Sequence, residues 1–177
     1  MVGVEDARGF TPSQRAGLDA RAVDQDRTLV AVHQLEAALA AAAPGRESQW
    51  REGVIAGLVA LDEATGGEFE NAESPDSLLS DIKRTQPRLR TRVRGLRVQY
   101  VRLREAIVSL RGELDEPPDE DADFADVRER LSWLLTALRH QRARESDLIY
   151  EAYLDAFNID LGADDGPLGG GGSGAEH

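Results

Sequence analysis

Between Pro87 and Leu114 the apolar residues recur at Leu89, Val93, Leu96, Leu103, Ile107, Leu110 and Leu114, with Tyr100 in the place between 96 and 103. Steps of four and three predict a helix with one buried seam, on which Tyr100 is the single non-aliphatic residue. The same step organises three other segments. From Thr11 to Ala43, Leu18, Ala22, Leu29, Val32, Leu35 or Glu36, and Leu39 fall roughly in phase. Thr11 suits an N-cap, Pro12 the first helical position, and Pro44-Gly45 a stop. A second helix starts near Glu47 and carries Trp50, Val54, Leu58 and Leu61; its stripe continues over Thr65, Glu68 and Ala72 until Ser74-Pro75-Asp76 breaks it. Residues 77–84 form a short amphipathic piece leading into Pro87. The last helix runs from Phe124 to near Asn158 through Val127, Leu131, Leu134 and Leu138, and its stripe goes on over Gln141, Glu145, Leu148 and Ala152.

No stretch alternates as a strand would. Four helices with mostly short connections predict an all-α, antiparallel up-down-up-down four-helix bundle over residues 11–162. Residues 1–10 lack periodicity and read as a loose arm. Asp115–Asp123 reads as an exposed acidic linker, with Asp121 or Asp123 capping the last helix. Residues 163–177, which contain GGGGSG, have almost nothing to pack and read as a disordered tail.

Composition narrows the function more than the fold. A net charge of −12 sets the surface against phosphate backbones, so nucleic-acid binding is disfavoured. No run is apolar enough to cross a membrane, and the absence of cysteine removes disulfides and thiolate metal sites; the expectation is a cytoplasmic protein. No Gly-x-Ser-x-Gly elbow or phosphate-cradling loop is present, so nucleophilic hydrolysis is disfavoured too. Nine basic and no acidic residues lie between Lys83 and Arg104. In so acidic a chain they read more readily as partners for neighbouring helices than as a docking face.

The candidate chemistry is the set of polar residues on or beside the buried stripes: His33, Glu68, Glu73, Tyr100, His140, Gln141 and Glu145. Histidine, carboxylate and phenolate are ligand types for non-haem iron, and bundles build such sites from facing helices. Each also has a plain structural reading. His33 could be a half-buried histidine bonded to a carboxylate, Tyr100 a core tyrosine, Glu68 and Glu73 solvated residues beside a helix break, and Glu145 a partner of Arg142 or Arg144.

Three stretches, GRESQWREGVIAGLVAL at 45–61, GEFENAESPDSLLSDIKRTQPRLRTRVRGLRVQY at 67–100 and LRHQRARESDLIYEAYLDAFNIDLG at 138–162, resemble the hemerythrin-like, or HHE cation-binding, bundles. The resemblance implies an iron site inside the bundle. On it His33 corresponds to the first-helix histidine, with Val32 as the other register. Glu68 and Tyr100 stand where the second and third helices offer histidines, and Glu73 resembles the carboxylate that follows. Gln141 takes the fourth-helix histidine register, with His140 one place early, and Glu145 resembles its carboxylate. Five histidines cannot be assembled from His33 and His140. What the resemblance leaves is a reduced His/carboxylate site for non-haem iron, di-iron or mononuclear, in iron- or oxygen-related sensing or storage. The alternatives are a metal-free bundle acting as a protein-interaction module, its partner unspecified, and a small oxidative enzyme on the same carboxylates.

Overall fold

The computed structural model describes residues 9–41, 45–116 and 124–163, with side chains through residue 158. The expected disordered tail, the caps at Asp121 and Asp123, most of the acidic linker and Pro44 lie outside the described residues. Within them the chain is helical throughout: α1 Pro12–Ala40, α2 Glu47–Glu73, α3 Leu78–Thr85, a 3₁₀ turn Pro87–Leu89, α4 Arg90–Asp115, α5 Phe124–Ala152 and α6 Leu154–Ala163. The expected fourth helix is therefore two, interrupted at Tyr153.

Local chemistry sets the ends. Thr11 and Gln14 form a reciprocal capping box, each side chain accepting from the other's backbone N–H, and Pro12 opens α1. Ser77 accepts from the Ser80 N–H and starts α3 directly after Pro75. In α4 the predicted ladder is the buried one: Val93, Leu96, Tyr100, Leu103, Ile107, Leu110 and Leu114, with Leu89 buried in the turn before it.

In α1 the ladder differs from expectation. The buried residues are Asp24, Thr28, Ala31, Val32 and Leu35, while Leu29 is 42% exposed. One residue is 100° of helix, so choosing Leu29 over Thr28 turned the apolar face by that much. The buried face turns apolar from Ala31 onward, where α1 lies close against α2. A Cβ on Gly57 would stand 3.0 Å from Leu35 Cα, so bulk at 57 would force the helices apart.

Two apolar clusters result. One joins Val32, Leu35, Leu58, Leu61, Ile107 and Leu134 with their neighbours; the other joins Phe10, Ile82, Val93, Leu148 and Tyr153 with theirs. Phe10 is 8% exposed, its ring edge-on to Phe157 at 4.8 Å, so the expected loose arm is packed at its last residue.

The short α3 is fastened by Asp81. Tyr153 Oη donates to Asp81 Oδ2 at 2.7 Å, Gln14 Nε2 to the same oxygen at 3.0 Å, and Arg84 to Oδ1 at 2.6 Å. Burial opposes ionisation of Asp81, but these donors outweigh it and hold its carboxyl below the ordinary value. A depressed folded pKa contributes stability above the unfolded pKa and loses it as pH falls through the folded one. Asp81→Asn should lower stability at neutral pH by about 1–3 kcal/mol and remove that acid-dependent loss. Urea titrations of both proteins from neutral to acidic pH check this; equal midpoints throughout would sink it.

Candidate functional site

Between the two apolar clusters lies a polar layer, contributed by Arg21, Asp24 and Thr28 of α1, Glu68 of α2, Tyr100 of α4, and Gln141 and Glu145 of α5. Apart from Arg21, which is partly covered, all are buried: Thr28 and Gln141 are 2% exposed, Asp24 5%, Glu68 7%, Glu145 8% and Tyr100 9%. Burying carboxylates is costly unless charge or hydrogen bonds replace the lost water. Thr28 Oγ1 donates to Glu68 Oε2 at 2.7 Å. Arg21 Nε donates to Glu145 Oε1 at 3.0 Å, and its Nη2 to Ser146 Oγ at 2.9 Å. Asn71 Nδ2 donates to Asp24 Oδ2 at 2.8 Å, and Gln141 Nε2 to the Leu96 carbonyl at 3.0 Å.

The groups feel one another's charge. Burial pushes the Glu145 carboxyl up; Arg21 pulls it back, and Glu68 pushes the same way as burial. Tyr100 is pushed well above its ordinary value by burial and then by the adjacent Glu68, so it is a neutral phenol. Among the described residues Gln141 Oε1 has no hydrogen-bond partner, and the Tyr100 hydroxyl interacts with the Glu68 carboxylate. Phe69 stacks on the Tyr100 ring at 5.7 Å and closes that side.

Three of the expected ligands, Glu68, Tyr100 and Glu145, share this layer, together with Gln141. The other three do not. His33 and His140 are exposed, and so is Glu73, which forms an ion pair with Arg97 at 2.8 Å. His33 stands one residue past the buried Val32, and His140 one residue before Gln141; in each case the 100° step takes the imidazole outside. Val32 thus holds the register that His33 was expected to hold. Arg21, Asp24 and Thr28 were not expected. Stepping back from Leu35 by three and four through Val32 finds Thr28, then Asp24 and Arg21, once Leu29 is set aside.

The basic run is largely absorbed by neighbouring helices. Arg97 meets Glu73, Arg104 meets Asp62 at 2.9 Å, and Arg88 and Arg92 meet Glu151. Arg94 and Arg102, on the outer face of α4, form no ion pair among the described residues.

The arrangement defines an all-helical protein with a buried polar layer of oxygen donors, and among the described residues no three His, Cys, Asp or Glu side chains stand close enough to hold a metal ion. Among them, no helix is long and apolar enough to cross a membrane. The chain matches no family model, no curated protein and no solved structure.

The layer's energetics can be read by removing one donor at a time. Thr28→Val keeps the shape and strands a buried carboxylate, so it should cost about 1–3 kcal/mol, whereas exposed Thr91→Val should be near neutral. Arg21→Met should cost about 3 kcal/mol at neutral pH by leaving Glu145 uncompensated. A carboxyl whose folded pKa is raised loses stability as pH rises past the unfolded value, and removing Arg21 raises it further. The Arg21→Met deficit should therefore shrink toward about pH 5. Denaturant titrations give the answer; a deficit independent of pH would show that Glu145 does not ionise against Arg21.

Proposed function

We propose that this chain is a hemerythrin-like antiparallel four-helix bundle that works without a metal, as an interaction module pairing with a second copy of itself. Antiparallel order is supported by residue pairs whose numbers rise on one helix as they fall on the next. On α1 and α2, Thr28 meets Glu68 and Asp24 meets Asn71. On α2 and α4, Arg51 donates to the Leu114 carbonyl while Glu73 pairs with Arg97. On α4 and α5, Arg130 pairs with Glu113 and Arg144 bonds Gln99.

The donor set does not fit the histidine-rich iron centre that the resemblance implies. The layer's donors are carboxylate, phenol and amide oxygens, with no imidazole among them. Glu145 already has a cation in Arg21, so the guanidinium supplies the positive charge that a metal would otherwise bring.

The observation that carries the pairing is the outer face of α4. Val98, Val101 and Val108 are 48%, 42% and 54% exposed there, and Val101 and Val108 border an apolar groove of about 480 Å³ against Phe69. Gly95 and Gly112 stand on the same face with open space where a Cβ would be, although glycine inside a helix costs about 1 kcal/mol relative to alanine. The residues at 95, 98, 102, 105, 109 and 112 step by three and four and are symmetric about the midpoint between Arg102 and Glu105. Two copies packed antiparallel about that point would place Arg102 of each against Glu105 of the other, which is the self-complementarity a two-fold interface requires. Neither residue has an ion pair within its own described chain.

Two measurements test this reading. Protein produced with ample iron should carry far less than one iron per chain; stoichiometric iron would overturn the metal-free part. In sedimentation equilibrium the chain should dimerise, Arg102→Glu or Glu105→Arg alone should weaken the dimer about tenfold or more, and the double exchange should restore it. A monomer at every concentration, or a double exchange no better than the singles, would overturn the pairing.

A further inference from the structure

A cleft of about 440 Å³ opens beside the polar layer, between the first half of α1, the end of α2 and α3. Its walls are apolar and small: Ala16 and Ala20 on α1, Ala72 on α2, and Leu78 and Leu79 on α3. Its inner end is acidic, with Asp24, Glu68 and Glu145 lining it beside the one cation Arg21. Asp76, Ser74 and Ser77 line it from the α2–α3 turn.

The charge in that inner end is not balanced. Arg21 serves Glu145. Glu68 is over nine-tenths buried, and the groups that meet it, the Thr28 hydroxyl and the Tyr100 phenol, are both neutral. Asp24, equally buried, has the neutral Asn71 amide and Arg27 at 3.9 Å, an arginine whose side chain is 69% exposed. Behind Glu68 two smaller cavities of about 40 and 20 Å³ also border Tyr100 and Gln141, and among the described residues Gln141 Oε1 has no partner. A region where three buried carboxylates meet one covered guanidinium, Arg21, and one exposed one, Arg27, favours a cation with hydrogens to donate.

The shape decides which cation. A hydrated inorganic ion gains nothing from walls of leucine and alanine, and the carboxylates are too dispersed to form a metal cage. An alkyl chain gains from those walls, and its ammonium can reach the acidic end. A second ammonium would find Asp76 near the α2–α3 turn, on the order of 10 Å along the cleft from Glu68 by the helical rise of the intervening residues. We propose that this cleft is a binding site for aliphatic amines, and for polyamines above monoamines, with Glu68 and Asp24 taking the inner ammonium, Leu78 and Leu79 the methylene chain, and Asp76 the outer ammonium. The site is separate from the α4 face and does not depend on self-association.

The test is isothermal titration calorimetry of the full chain with spermidine, putrescine and n-butylamine, and with magnesium chloride at matched ionic strength. Spermidine should bind with Kd below about 1 mM, n-butylamine at least about tenfold more weakly, and magnesium without a saturable site. Glu68→Gln keeps an acceptor for Thr28 and should weaken every amine about tenfold or more. Asp76→Asn should weaken spermidine but not n-butylamine. Ala20→Phe, on the open wall, should block binding while leaving the carboxylates and the melting temperature intact. Saturable magnesium binding of equal strength would mean simple screening of an acidic chain and would overturn the proposal. So would absence of spermidine binding, or unchanged affinity in both Glu68→Gln and Ala20→Phe.

Discussion

The constraint on which the structure turns is the burial of carboxylates in the middle of a helical core. Glu68 and Glu145 stand between two apolar clusters, more than nine-tenths buried, and burial raises the Glu145 carboxyl. Each is held by a donor from α1, Thr28 or Arg21. α1 is therefore tied by charge and hydrogen bonding to α2 and α5 at one level, and cannot slide by a turn without stranding both groups. An apolar layer there could contribute as much stability but would not discriminate so sharply between registers.

That layer also organises what lies around it. Below it, in the cluster containing Ile82 and Tyr153, α3 is a short helix pinned by Asp81 rather than by length. α3 meets α1 at Leu78 beside Gly17 and at Asp81 with Gln14, and a cleft between them ends at the buried carboxylates. The cleft and the layer are thus one electrostatic unit: the cost of charge in the layer becomes attraction for a cation at the inner end of the cleft. On the far side, α4 turns its seam inward and leaves outside it valines, glycines, and Arg102 and Glu105, which form no ion pair among the described residues. These two surfaces belong to different helices and require no common partner.

Much of this was legible in residue order alone. The α4 ladder, the α5 stripe through Gln141 and Glu145, the α2 stripe through Thr65 and Glu68, and the Thr11 and Ser77–Pro87 boundaries follow from period and capping chemistry, which act over a few residues. Tyr100, Glu68, Gln141 and Glu145 were therefore findable as inward-facing polar groups. What residue order left open was which side of α1 faces inward. Leu29 and Thr28 differ by one position, and only packing against α2, close enough that Gly57 must lack a Cβ, selects the face carrying Thr28, Asp24 and Arg21. That choice, made by contacts between residues some 40 to 120 apart in the chain, put His33 outside, gave Glu145 a guanidinium, and left Glu68 and Asp24 as the charged end of a cleft. Periodicity sets which residues can be buried together; only the docking of whole helices decides which buried charges meet a partner.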